Sequence, residues 1–209
     1  MLPIFLDVTR LLDRLSKRML PTGVDRVGLA YIQHYAHRAR AVLSEQGFYV
    51  VLSERESALA FELLLKQDFT RSRGARAIMI RAILGAVRRD CIPNHGVLLH
   101  TSHSGMEFGR YFRAMAKRNI RSVFMVHDLI PLTHAEYCRP GVRETHHERM
   151  RVALGHAAGI IANSQATLDS LTEQAQRAGW PLPGAVVARL ASGVPDAVAG
   201  ERPLADPYF

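Results

Sequence analysis

The sequence predicts an α/β protein built on a doubly wound, mostly parallel Rossmann-like sheet with helices on both faces. Two observations carry that expectation. Short apolar runs without alternation recur at 97–99, 123–126 and 159–162, and such runs read as strands buried on both faces. Between them lie longer stretches with apolar residues at helical spacing, and strand–helix alternation builds a parallel sheet. The run Val123-Phe124-Met125-Val126 organises the rest, because it stops abruptly at His127 and Asp128. Ligands collect at the carboxyl ends of strands in open α/β sheets, so polar residues there are placed for binding or catalysis.

Taken in order, residues 3–8 read as a first strand with Asp7 at its carboxyl end, and 10–19 as a short basic helical or looped stretch. A helix follows, with Val24, Val27, Tyr31 and Tyr35 on one face, Thr22 as N-cap and Asp25 in the third position. Residues 48–52 form a strand, 43–46 a helix end or partner segment, and 57–66 a short helix. The segment 73–89 is a basic amphipathic helix in which Arg76 falls within the apolar stripe. Residues 96–101 make the next strand. Ser104-Gly105-Met106-Glu107 fits a capping box, so a helix carrying Phe108, Tyr111, Phe112 and Met115 is expected to begin near Gly105. Beyond the organising strand come a helix at 144–158, a buried strand at 159–162 and a helix bearing Leu168, Leu171 and Ala175. Gly179 closes that helix with Pro181 just beyond, and 185–190 is a last strand.

Bulk properties narrow the function classes. At 209 residues, the chain suffices for one α/β domain with a real core. Its net charge of +8 suits nucleic acid, an anionic membrane surface or phosphate-bearing small molecules. Cys91 and Cys138 are too few for a disulfide framework, so a cytoplasmic location is expected. The first residues are interrupted by Asp7 and Arg10 and do not read as a signal peptide, and no run approaches the ~20 apolar residues that span a bilayer. There is no G-x-G-x-x-G after the first strand, no Walker loop and no G-x-S-x-G elbow. His127, Asp128, His134, His146, His147 and Glu148 invite a metal, but their spacing matches no common zinc pattern, so neither metal nor cofactor is expected. No nucleic acid is expected as partner either, because aromatic residues do not interleave with the arginines as a stacking platform requires.

Two stretches carry chemistry. Gly23, lacking a side chain, lets a ligand approach the free amides of the first helical turn, which favour an anion, and Arg26 adds charge there. The bland alternative is an ordinary capped helix with a solvated arginine. His127 and Asp128 stand at a strand end; the bland alternative is that they cap the strand or pair with each other.

Together, D-V-T-R-L-L, P-T-G-V-D-R-V, V-H-D-L-I-P-L-T-H-A-E-Y-C-R-P-G and I-I-A-N-S-Q-A-T resemble bacterial glycosyltransferases of family 4, from Asp7 to about Asp196. The resemblance implies the GT-B architecture, two Rossmann-like domains facing across a cleft, with residues 1–200 the acceptor-side domain. It implies transfer of a sugar, with retention, from a nucleotide-diphosphate sugar to a glycan or lipid-linked acceptor in polysaccharide synthesis. Carried over by motif, His127 points into the cleft and Asp128 orients it or holds an acceptor hydroxyl. Gly23 then sits against the donor phosphate or reacting sugar, with Arg26 and Thr22 beside it. His103, Ser104, Gly105, Asn163 and Ser164 line the same edge. Residues 201–209 look like the linker to a second domain that carries the family's Glu-x7-Glu motif and binds the nucleotide sugar, so the chain reads as half an enzyme, inactive alone. Ala188-Arg189-Leu190-Ala191-Ser192-Gly193 departs from the family's apolar-Pro-x-Gly pattern. The helix at 73–89 reads first as a core-packing helix with a solvated arginine face, and as the alternative suggests peripheral contact with anionic lipid at the inner face of the plasma membrane. Another class remains: a non-catalytic glycan-binding or assembly module derived from the same half-fold.

Overall fold

The computed structural model describes residues 2–66, 72–85 and 93–190. Seven strands form one sheet: β1 (Ile4–Asp7), β2 (Ala39–Glu45), β3 (Phe48–Val51), β4 (Gly96–His100), β5 (Ile120–Val126), β6 (Ala157–Ala162) and β7 (Ala185–Val187). Their order is β3-β2-β1-β4-β5-β6-β7, and every pairing is parallel except β2 with β3. The chain builds outward from β1 in one direction, then returns to add β4 on its other side. That reversal between β1 and β4 is the topological switch point, where the two halves diverge and a crevice opens at the carboxyl edge.

Alternation along the strands explains why both faces are covered. Phe5 and Leu98 point into one core, while their neighbours Leu6 and Leu99 point into the other. The Leu6 side is closed by α1 (Thr9–Ser16), α2 (Gly23–Tyr35), α3 (Glu54–Lys66) and α4 (Ser72–Gly85), through Leu12, Ile32, Phe61 and Ala75. The Phe5 side is closed by α5 (Gly109–Ala116), α7 (Val142–His156) and α8 (Gln165–Ala178), after the single turn α6 (Ile130–Thr133). Phe112 meets Phe124 edge to face at 4.7 Å, the favoured geometry for aromatic quadrupoles.

Several boundaries moved. The stretch 10–19 is helix α1, because Leu11, Leu12 and Leu15 fall on one buried face. The segment at 43–46 belongs to strand β2, which begins at Ala39 and hairpins into β3 through Gln46-Gly47, both at positive φ. The helix expected near Gly105 begins at Gly109: Gly105 has φ +80, a left-handed conformation that cannot open a right-handed helix. Glu107 then closes no capping box. It pairs with Arg149 of α7 through two bonds, of 2.9 and 3.0 Å. In α4, Ala75 is buried and Ile78 and Met79 half-buried, but Arg76 is exposed rather than part of the stripe. Arg88, Arg89, Cys91 and the expected linker at 201–209 lie outside the described residues. Among those residues, no helix is long and apolar enough to cross a membrane.

Candidate functional site

The loop leaving β4, residues 101–108, ties the carboxyl edge together. On one side it holds His127. The Thr101 carbonyl lies 2.8 Å from His127 Nε2, and a carbonyl can only accept, so the proton sits on Nε2 and the lone pair on Nδ1. The backbone N–H of His127 donates to His103 Nε2 at 3.1 Å, which in turn makes His103 a neutral acceptor. His127 is only 7% exposed. The expectation of a ring standing open in a cleft is therefore corrected: it is a strand-end histidine clamped by the neighbouring loop. Asp128 does not orient it, either. Its Oδ1 takes the Ile130 N–H at 3.1 Å, opening the turn into α6, with Pro131 in that helix's first turn.

His103 lies edge-on between His127, at 5.4 Å, and His146 of α7, at 5.0 Å. Burial first, and then the neighbouring His146, His127, Arg149 and His100, hold the His103 imidazole well below its ordinary pKa of 6.5. His146, 4% exposed, is lowered by burial and by Arg149, against an upward pull from the Asp128 carboxylate. Its Nε2 is buried without a hydrogen-bond partner among the described residues. The A-N-S turn joins from the next strand. Ser164 caps α8 by accepting the Thr167 N–H at 3.1 Å. The Thr167 hydroxyl lies 2.8 Å from Asn163 Oδ1 and 3.3 Å from the His127 carbonyl, spanning the ends of β5 and β6.

On its other side the loop reaches the start of α2. Arg10 Nη1 donates to Ser104 Oγ at 3.4 Å, and Arg10 Nε to Asp25 Oδ1 at 2.7 Å. Arg14 Nε lies 2.8 Å from Asp25 Oδ2, which also receives the Thr22 N–H and hydroxyl at 2.7 Å each. Burial opposes ionisation of Asp25. The Thr22 hydrogen bonds and Arg10 outweigh it and hold the carboxyl below its usual value. Gly28, one turn on, packs so closely that a Cβ would stand 3.2 Å from Thr101 Oγ1 and 3.1 Å from Leu11, which fixes α2 against the same loop. Gly23 is exposed, and a Cβ there would meet nothing within 4 Å. Arg26 is exposed and makes no ion pair among the described residues.

The strand ends thus bring Thr22, Gly23, Ser104 and Gly105 to one side, and His103, His127, Asp128, Asn163 and Ser164 to the other, with one loop as the bridge. Sequence reasoning missed Thr101, which acts through its backbone and so leaves no side-chain signal. It also missed the Arg10–Asp25–Arg14 cluster, whose members lie in three different turns of helix. Among the described residues, no group of three or more histidine, cysteine or carboxylate side chains is arranged to hold a metal ion.

No family model, no curated protein and no solved structure matches the chain.

Proposed function

We propose that this chain is the acceptor-side domain of a GT-B glycosyltransferase, moving a sugar with retention from a nucleotide-diphosphate sugar to a glycan or lipid-linked acceptor. The observation that carries the reading is the convergence of separate resemblance-bearing motifs on one loop at the switch point. The D-V-T-R and P-T-G-V-D-R segments meet Ser104 through Arg10 and Asp25, and the V-H-D and A-N-S segments meet Thr101 through His127 and Thr167. Fold alone does not assign an activity, so the weight rests on these residues. With Nε2 held by Thr101, the His127 Nδ1 is the nitrogen left to accept a hydrogen bond from a reacting hydroxyl. Asp128, half-exposed beside it, holds a second hydroxyl. Gly23 offers open backbone to the donor phosphate, a leaving group that needs positive charge and helix-terminus dipoles. The donor half has to be supplied by another domain.

Joined to a donor-binding domain, the chain should transfer sugar, and the 209-residue polypeptide alone should not. His127→Ala in the joined protein should lower turnover by roughly 100-fold or more. Because the ring is buried, the same change also strands the Thr101 carbonyl, at a cost of about 1–3 kcal/mol. Turnover must therefore be read per folded molecule. Unchanged turnover in the folded fraction would make His127 a structural clamp. The burial of His127 favours one other reading, a glycan-binding module without catalysis, which predicts saccharide binding and no transfer even in the joined protein.

Peripheral membrane contact belongs to the same proposal. Helix α4 leaves Arg76 and Ile80 exposed on its outer side, and Ile80 is 49% exposed. A basic residue near an anionic surface contributes about 1 kcal/mol. Reversing one charge with Arg76→Glu should then weaken binding to anionic vesicles by roughly 30-fold at low salt. Equal co-sedimentation with neutral vesicles would remove the membrane from the proposal.

A further inference from the structure

Beyond β4 the chain runs between two anchors. Thr101 is buried against Gly28 of α2, and the fully buried Met106 belongs to the Phe5-side core. Residues 102–105, between them, are all half-buried. None of their backbone N–H groups donates to another backbone group among the described residues. Gly105, at φ +80, turns the segment where a side chain would be strained. Side chains therefore close it over the end of β5. The Ser102 carbonyl lies 2.8 Å from His100 Nδ1, and Ser104 Oγ takes the long bond from Arg10 at 3.4 Å. The remaining tie runs through His103.

The His127 N–H donates to His103 Nε2 at 3.1 Å. That bond needs a lone pair on Nε2, so the His103 ring carries its one proton on Nδ1. A second proton would go to Nε2 itself. Two N–H donors would then face each other with no acceptor between them. The new charge would also lack a counterion. The groups facing it are His127 from β5, His146 and Arg149 from α7, and His100 from β4, and none is an anion. The nearby carboxylates are engaged elsewhere. Glu107 holds Arg149 through two bonds, and Asp128 takes the Ile130 N–H while its field acts on His146.

Burial and those same neighbours hold the His103 imidazole well below its ordinary 6.5, so the closed arrangement persists through neutral pH. In acid, the least costly relief is outward. Water is within reach of the half-buried ring, and the segment carrying it has no backbone ladder to break. Moving the other partner would tear β5 from β4 and β6.

We propose that His103 is a proton-operated latch: neutral, it closes residues 102–105 over the end of β5, and protonated, it releases them while the sheet stays folded. Release also parts Ser104 from Arg10, so one proton separates the two sides of the site that this loop bridges. The latch depends on this geometry and not on which reaction the chain serves.

The test is nitrogen-15 NMR of the purified chain between pH 7.5 and 5.5. At pH 7.5 His103 should show a bare Nε2 and a protonated Nδ1. As the ring titrates, the His127 amide should lose at least about tenfold in protection against solvent exchange, the worth of one hydrogen bond, while the β5 amides keep theirs. His103→Gln, which presents an uncharged acceptor at every pH, should keep the His127 amide protected at pH 5.5. A His127 amide that stays protected through the His103 titration would overturn the latch. Loss of protection along β5 at the same pH would overturn it too, since opening would then be global unfolding. A protonated Nε2 at pH 7.5 would do the same. These three outcomes are read on the unaltered chain, so they decide even where the variant fails to fold. A folded His103→Gln that still loses protection in acid would place the trigger in another group.

Discussion

Asp25→Ala should destabilise the protein by about 3–5 kcal/mol, the cost of breaking a buried ion pair from one side. The carboxylate side chain is 1% exposed, and the arginines it faces are largely covered, with side chains 31% exposed for Arg10 and 17% for Arg14. Removing it strands two guanidinium groups, in the first and last turns of α1, and leaves the Thr22 N–H without its acceptor. Domains of this kind are stable by only about 5–15 kcal/mol, so such a loss is a large share of the total. Urea unfolding measures it directly. The double variant Asp25→Ala with Arg14→Leu should recover part of the loss, because one stranded charge is gone; a single variant costing under about 0.5 kcal/mol would show that the cluster is solvated. The consequence reaches the site, since Arg10 is held between Asp25 and Ser104.

Acid should unfold the protein from a higher pH than its carboxylates alone would set. His103 and His146 both have folded-state pKa values below the ordinary 6.5, burial being the first cause for each. A depressed histidine binds its proton more readily in the unfolded chain. Stability is therefore unaffected well above pH 6.5, falls as pH drops below it, and stops falling once the folded-state pKa is passed. Each such group contributes a slope of up to 1.36 kcal/mol per pH unit, so the pair approaches about 2.7 kcal/mol per unit in that window. The groups facing them, Arg149, His127, His100 and Asp128, include one carboxylate, which relieves His146 alone. Asp25 adds a second, lower window. Its depressed carboxyl stabilises the fold above the unfolded value near 3.9, and that contribution is lost as pH falls through the folded one. Melting temperature between pH 7.5 and 4.5 checks the first window. His103→Gln should flatten the curve, and an unaltered slope would show that His103 titrates freely.

How much of this was legible in the sequence depends on the range of the interaction. The buried strands β4, β5 and β6 were legible because an unbroken apolar run needs no context. Helix α8 was legible from its apolar face and from Gly179, which closes it at φ +66, whereas Ser164 emerges as its N-cap only in the structure. Strand β2 was not, because Ala39-Arg40-Ala41-Val42-Leu43 is weakly apolar and becomes a strand by pairing with β1 and β3. The capping box at Ser104 failed for the opposite reason. The local pattern was present, but Glu107 is drawn to Arg149, 42 residues away.

The sequence by itself determined the α/β class and the strand ends that carry polar residues. Those are local properties, set by side-chain period and by which residues interrupt an apolar run. Only the tertiary structure decided the strand order, and with it the switch point between β1 and β4 that opens the crevice. It also decided the protonation of the site. A backbone carbonyl at Thr101 fixes the His127 proton, and burial keeps His103 neutral. Neither effect belongs to any residue type, because desolvation and a carbonyl's direction exist only once distant segments have packed together.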